Sequence, residues 1–382
     1  MAAPTIARVE CWVFRAPIDV PVATAFGHMD SRPAVFLRLS ASDGAWGWGE
    51  VFCNFPQVGA EHRARLVADM FAPLLLGAAS DDAPATQAAL QARVHRVAIQ
   101  CGEPGPFAQV IGAIDQALWD MAARRAGQPL HRLLATDPAA ASGRVRLYAS
   151  GLGPARVGEM ALARRQRGYD AFKFKVGFGP ERDRANFAEI RAVLGDDAVV
   201  MVDANQAWEP QDAAARIAEL APFRPHWVEE PMAADVPVAA WAQLARGCGV
   251  PLAAGENLRG LPAFEEALAA GFLRFVQPDV AKWGGLSGCR AVARLAPAHG
   301  ATFCPHWLGG GIGLAASLHL RAALGEAGFA EVDANPNPLR EEVFDPQPAH
   351  GWVQLTDAPG LGVEPDLTRL ARYRITSCSC YG

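Results

Sequence analysis

From Arg144 onward, short apolar runs alternate with amphipathic helical runs, and no other feature of the chain constrains its fold as tightly. Eight runs read as strands, at 145–149, 171–176, 198–202, 226–229, 251–254, 272–277, 301–304 and 329–332. Their ends recur about every 25–28 residues, the length of one strand, loop and helix. Eight such units close a barrel. Before Arg144 the pattern differs. Residues 6–15 and 34–40 are rich in β-branched and aromatic residues, and Asp43-Gly44 is a turn signal between 35–39 and 46–51. Helical periodicity follows at 62–75, 86–95 and 107–126, the last with an apolar stripe of Ile111, Ile114, Leu118, Met121 and Ala122. The expected fold is α/β. An α+β module covers 1–135, a barrel covers 136–340, and a segment at 341–382 returns to pack on the first module.

A chain of 382 residues is too long for one small domain. With 51% hydrophobic and 20% charged residues it suits a soluble protein with a large core. The net charge of −5 offers no basic surface, so nucleic acid is not an expected partner. No apolar run reaches the roughly 18 residues of a membrane span, and residues 1–8 lack a signal pattern, so the expected location is cytoplasmic, away from membranes. The eight cysteines are scattered without a C-x-x-C pair and read as reduced thiols. Cys378 and Cys380 fall in a terminal tail, for which disorder is as ready a reading as function.

Barrel enzymes carry their catalytic groups at the C-terminal ends of strands. Here those ends hold Lys173 and Lys175, then Asp203 and Asn205, Glu229, Glu256, Asp279, His306 and Glu331. Each is expensive to bury unless paired or metal-bound. Asp203, Glu229 and Glu256 come from three adjacent strands. Converging carboxylates repel one another without a cation, and a donor set of hard oxygens suits Mg2+. The alternative is a ring of carboxylates paired with arginines. Lys173 and Lys175 are two apart on a strand and face the same way. Two neighbouring ammonium groups are expected to depress each other's pKa, leaving one able to act as a base. Asp279 ends the sixth strand and His306 the seventh, so the carboxylate is placed to orient the imidazole. Glu331 ends the eighth and is placed to meet a substrate carboxylate, or otherwise to pair with Lys282 or an arginine. The glycine run Gly309–Gly313 offers backbone N–H groups near a helix start, a weak signal for an anion site.

These residues in this order resemble the enolase superfamily, and within it the mandelate racemase subgroup. The matching motifs are Lys173-Phe174-Lys175, Asp203-Ala204-Asn205, Glu229-Glu230-Pro231, Gly255-Glu256-Asn257, Pro278-Asp279 with Lys282, Cys304-Pro305-His306 and Glu331. The resemblance extends to AIDQALWD before the barrel and DAPGLGVE near the end, so it spans nearly the whole chain. It implies a modified (β/α)8 barrel, its last unit incomplete, beneath an α+β capping domain. It also implies Mg2+ on Asp203, Glu229 and Glu256. Lys175 is then the base on one substrate face, tuned by Lys173, and His306 with Asp279 the acid or base on the other. Asn205 and Lys282 support the site, Glu331 stabilises an enolate, and Glu230 lies behind Glu229. A homo-oligomer, dimer or octamer, is implied as well. A lysine or histidine base with magnesium is a known pattern of this superfamily.

The implied activity is removal of the proton α to a carboxylate. Three outcomes follow. A β-hydroxyl leaves as water, a ring oxygen of a lactone or anhydro sugar is expelled, or the proton returns on the other face. The commonest activity in this subgroup is dehydration of a sugar acid to a 2-keto-3-deoxy acid, with racemase, epimerase or cycloisomerase as alternatives. The capping loops, roughly 20–32 and 51–58, are expected to select the substrate. They offer His28, Asp30, Arg32, Asn54 and Gln57 beside Phe26, Phe52 and Phe55, a lining suited to a polyhydroxylated acid. A non-catalytic homologue would be expected to lose ligands or bases, and the full set is present. A metal-dependent hydrolase on such a barrel would want histidines on the first strand, and 145–149 has none.

Overall fold

Alternation along the barrel strands decides which side chains enter the interior. The structure is a computed structural model that describes residues 3–24, 27–56, 58–137 and 141–382. Its strands are Ile6–Thr24 (β1), Gly27–Ala41 (β2), Trp46–Val51 (β3), Arg144–Leu152 (β4), Ala171–Lys175 (β5), Val199–Asp203 (β6), Val228–Glu229 (β7), Leu252–Ala254 (β8), Phe275–Val276 (β9), Thr302–Phe303 (β10), Ala330–Asp333 (β11), Trp352–Gln354 (β12) and Arg374–Tyr381 (β13). A parallel ladder runs β11-β4-β5-β6-β7-β8-β9-β10, with β12 added antiparallel to β4. Each of the eight expected barrel runs overlaps one of these strands.

Inside the barrel, Tyr148, Ala171, Met201, Trp227, Ala253, Cys304 and Phe329 form a layer of their own. The intervening residues Leu147, Phe172, Phe174, Val200, Val202 and Leu252 face outward into the larger core beneath the helices. Each strand from β4 to β10 is followed by a helix, such as Pro180–Leu194 after β5 and Gly311–Ala322 after β10. β11 is followed only by the four-residue helix Pro338–Glu341, so the eighth unit is incomplete. Among the described residues no backbone ladder joins β10 to β11. They meet through side chains instead: the Phe329 N–H points at Cys304 Sγ at 3.4 Å, and the Trp307 N–H donates to Glu331 at 3.0 Å.

The capping sheet is antiparallel, in the order β13-β1-β2-β3. The Pro104–Arg125 helix lies directly on β3. A Cβ at Gly47 would come within 2.1 Å of the Ala117 carbonyl, and one at Gly49 within 2.0 Å of that of Ala113, so only glycine allows this approach. Two expectations need correction here. Residues 20–24 and 27–32 are not a loop but paired arms of β1 and β2, with Val22 paired to Met29. Ile18, Val22 and Met29 form a small apolar cluster that holds the arms together, and the register shift between Pro17 and Val22 falls on the segment that carries Pro17 and Pro21, which lack N–H donors. Cys378 and Cys380 lie not in a disordered tail but in β13, where Cys378 is the rung partner of Cys11 on β1. All eight cysteines are free. Among the described residues no helix is long and apolar enough to cross a membrane.

Candidate active site

Lys175, Asp203 and Glu229 share one rung across β5, β6 and β7. Side chains on one rung of a parallel sheet point to the same face, so all three enter the barrel mouth. Lys175 Nζ lies 2.6 Å from Asp203 Oδ2. One inward step below, Lys173 is buried and reaches Glu229 at 2.5 Å, Glu331 at 2.9 Å and Asp203 at 3.8 Å. Asp203 also accepts the backbone N–H of Asn205, whose positive φ of 46° turns the chain back over the carboxylate. Glu229 accepts from Trp227 Nε1 and from Gln277 Nε2, so the interior layer supports it from beneath.

The opposite arc is organised around His306. Its Nδ1 is 2.6 Å from Asp279 and its Nε2 is 2.9 Å from Glu256. Asp279 also accepts the N–H groups of Ala281 and Lys282 at 2.7 and 3.1 Å, which fixes the carboxylate that orients the ring. Lys282 Nζ bridges Glu256 at 3.0 Å and Asn257 at 2.7 Å, and Asn257 donates to both oxygens of Glu230. Glu331 accepts from Ser150 Oγ and from the Trp307 N–H. Its cation is Lys173, not Lys282 or an arginine.

The expected depression of the lysine pKa values is reversed. Burial favours the neutral amines, but Glu229 and Glu331 hold Lys173 well above the usual range, and Asp203 does the same to Lys175 more mildly. The mutual repulsion of two ammonium groups is outweighed by carboxylates on neighbouring strands, which the spacing of the two lysines does not reveal. Burial likewise favours neutral His306, yet Glu256 and Glu331 raise it well above the ordinary imidazole value. Glu256 lies well below the carboxylate range, where His306 and Lys282 overcome its burial. Glu229 is pushed up to about 7 by burial against the pull of Lys173, and Glu230 is raised well above the usual carboxylate range by burial and Glu256.

These directions reflect a surplus of negative charge. Five carboxylates, Asp203, Glu229, Glu256, Asp279 and Glu331, contact the ammonium groups of Lys173, Lys175 and Lys282 and the imidazole of His306, and a sixth, Glu230, lies behind them on Asn257. Among the described residues no three acidic, histidine or cysteine side chains already converge with ligand spacing, because each carboxylate is turned to its own cation. Donor chemistry, the shared rung of Asp203 and Glu229 and the surplus of carboxylates over cations fit a divalent cation on Asp203, Glu229 and Glu256 once they leave those partners.

One cavity joins the two arcs. It is lined by Lys175, Asn205, Glu256, Lys282, His306 and Glu331, with Ser150, Gly151, Asn257, Asp333 and Asn335 on the barrel side. Val22, Phe52, Phe55 and Leu308 complete the lining. Three expected cap residues are elsewhere. His28 is exposed on β2. Arg32 is buried and pairs with Asp333 at 2.6 Å, a tie between cap and barrel that leaves no free guanidinium for substrate. Asn54 donates to the Leu308 carbonyl and braces the loop behind His306. Asp30 is exposed and also outside the lining, while Phe26 and Gln57 lie outside the described residues. The described cap wall is therefore apolar, and the polar partners come from the barrel. Asp333 and Asn335 escaped the sequence reading, although they follow Glu331 at the same-face spacing of a strand. Ser150 escaped it as well, at the end of the first barrel strand.

Comparison with known proteins agrees with this geometry. Residues 156–369 match the enolase C-terminal domain-like family, and residues 8–135 match the mandelate racemase / muconate lactonizing enzyme N-terminal domain. A D-galactarolactone cycloisomerase of Agrobacterium fabrum is 30% identical, over 97% of this chain and 99% of that protein. A D-galactonate dehydratase of Verminephrobacter eiseniae is 31% identical, over 86% of this chain and 88% of that protein. Among solved structures, a mandelate racemase/muconate lactonizing enzyme from Bordetella bronchiseptica is 48% identical with a TM-score of 0.89, covering 97% of this chain and all of that one. A racemase from Streptomyces coelicolor with bound magnesium is 30% identical with a TM-score of 0.86, covering 97% of this chain and 100% of its own. Fold, strand-end residues and matches over both domains together show that the chain belongs to the mandelate racemase/muconate lactonizing enzyme group of the enolase superfamily.

Proposed function

We propose that the protein is a magnesium-dependent enzyme that removes the α-proton of a carboxylate substrate, and that it dehydrates a sugar acid to a 2-keto-3-deoxy acid. The observation that carries this reading is the entry of Lys175 and of His306, held from behind by Asp279, into one cavity from opposite arcs of the barrel. Asp203, Glu229 and Glu256 would hold the magnesium, which would supply positive charge for the substrate carboxylate and for the negative charge that builds on it. With Asp203 so engaged, Lys175 loses the partner that holds its proton and is free to accept the one from the α-carbon. His306, oriented by Asp279, delivers a proton to the β-hydroxyl, which leaves as water. The enol that remains tautomerises to the 2-keto acid. Lys173 holds Glu229 and Glu331 in place beneath the reacting groups.

A second reading has its own support. The cycloisomerase relative matches nearly the full length of both chains, more than the D-galactonate dehydratase does. The same residues would then expel a ring oxygen instead of water, with His306 protonating that oxygen.

The test is a panel of mono- and dicarboxylic sugar acids, their lactones and anhydro sugars, incubated with the magnesium-loaded protein. Semicarbazide-reactive product from open-chain acids supports dehydration. Faster consumption of a lactone or anhydro-sugar acid supports cycloisomerisation, and loss of optical activity without a keto acid supports racemisation. No turnover of any hydroxy acid, with magnesium shown to be bound, overturns the enzymatic reading.

A further inference from the structure

We propose that Glu50, on the capping domain, is a positioning residue for the acid–base pair: its carboxylate fills the N–H cradle that follows His306 and so fixes the loop carrying the imidazole. This rests on the reading of His306 as a catalytic acid or base.

Glu50 is the fifth residue of β3 and only 2% exposed. Its carboxylate accepts the N–H groups of Gly310 at 2.5 Å and Gly313 at 2.9 Å, at the start of the Gly311–Ala322 helix. Burial pushes the Glu50 carboxyl up to about 8, although the N–H donors and partial positive charge of the helix start favour the carboxylate. The glycine run expected to bind an external anion is thus occupied by the chain itself. Its composition follows from what presses on it. A Cβ at Gly310 would meet Glu50 Oε1 at 2.7 Å, and Cβ atoms at Gly309 and Gly313 would come within 2.5 and 1.9 Å of the Trp307 ring. Trp307 follows His306 directly and donates its N–H to Glu331.

The backbone of Glu50 is tied to the other half of the pair. Its N–H donates to Gln116 Oε1 at 3.2 Å, and Gln116 Nε2 donates to the carbonyl of Val280 at 3.0 Å. Val280 is the residue after Asp279. Glu50 and Gln116 therefore grip the loop after β9, which holds Asp279, and the loop after β10, which holds His306. Both belong to the capping domain, so the 2.6 Å contact between Asp279 and His306 is braced from outside the barrel. Lys175 has no such link to Glu50. Loss of the clamp should therefore impair one side of the chemistry and spare the other.

The experiment compares Glu50→Leu and Glu50→Gln with a control, Asp115→Asn. Asp115 joins cap to barrel through the Ser287 hydroxyl at 2.6 Å and does not touch the His306 loop. Two readouts are taken on the magnesium-loaded protein. The first is deuterium exchange at the α-carbon of each of two α-epimers, one exchanged by Lys175 and the other by His306. The second is the proton resonance of the His306 Nδ1–H, assigned by its loss in His306→Asn. In Glu50→Leu, His306-side exchange should fall about a hundredfold, because displacement of a reacting group by about an ångström has that effect, while the Lys175 side stays within about threefold. The His306 resonance should shift or vanish. Glu50→Gln, which keeps one acceptor oxygen, should show the same bias with a smaller loss, and it carries the test if Glu50→Leu does not fold. Asp115→Asn should show no bias. Equal losses on both sides in the Glu50 variants, or an unmoved resonance, overturn the clamp. If the wild type exchanges neither epimer, the functional reading fails, and the resonance alone decides for or against the clamp.

Discussion

Lys175 Nζ sits 2.6 Å from Asp203 Oδ2, its rung partner on the neighbouring strand, so the residue read as a base and a residue read as a metal ligand neutralise each other. A divalent cation and the Lys175 ammonium thus compete for one carboxylate. Magnesium should raise the melting temperature, with stabilisation of about 2.7 kcal/mol at a hundredfold excess over Kd. Asp203→Asn and Glu256→Gln should each abolish most of that shift. A calorimetric scan with and without magnesium checks this, and unchanged shifts in both variants would remove those residues from the metal site.

Lys175→Ala and His306→Asn should each lower turnover of a confirmed substrate by about 10²–10⁴-fold, the usual effect of losing a general acid or base. α-Proton exchange should survive in one of the two variants and be lost in the other, according to the configuration of the substrate. Full turnover in both would mean that neither group carries the proton.

Lys173 is the buried cation between Glu229 and Glu331. Lys173→Met should destabilise the metal-free protein by about 3–5 kcal/mol, because it leaves buried carboxylates without their partner. Denaturant unfolding measures this, and the loss should shrink at lower pH as the freed carboxylates take up protons.

His319 is buried, its Nδ1 is 3.2 Å from that of His131, and its Nε2 faces the Leu361 carbonyl. Burial and the neighbouring His131 push its pKa down to about 3, whereas an unfolded histidine titrates near about 6.5. Between these values the unfolded chain binds the extra proton. Stability from His319 is therefore intact above the unfolded value and drains as pH falls toward the folded one. The slope is at most about 1.4 kcal/mol per pH unit. The difference in unfolding free energy between wild type and His319→Asn, measured from pH 7 to pH 4, isolates this contribution. A difference independent of pH would refute it.

The barrel was legible because its strands alternate and its helices repeat, and both patterns are local. The inward pointing of Lys173 and Lys175 was legible for the same reason. Their charge state was not, since it depends on Asp203, Glu229 and Glu331, which reach them across neighbouring strands. The cap was read least well. Arg32 looked like a substrate contact because its partner, Asp333, is 301 residues away in the chain. The same distance in sequence hid Glu50 from Gly310, 260 residues on. Register between the arms of a hairpin is a long-range property as well, so the sequence does not show that the His28 side chain faces solvent.

The wall of the barrel has a seam between β10 and β11, closed by side chains rather than by backbone rungs. His306 follows the strand on one side of it and Glu331 stands on the other, with 3.8 Å between imidazole and carboxylate. A ladder resists shear because every rung must break at once, whereas a seam can widen one contact at a time. The two groups of the site therefore face each other across a join in the wall that side-chain contacts hold, without backbone rungs among the described residues.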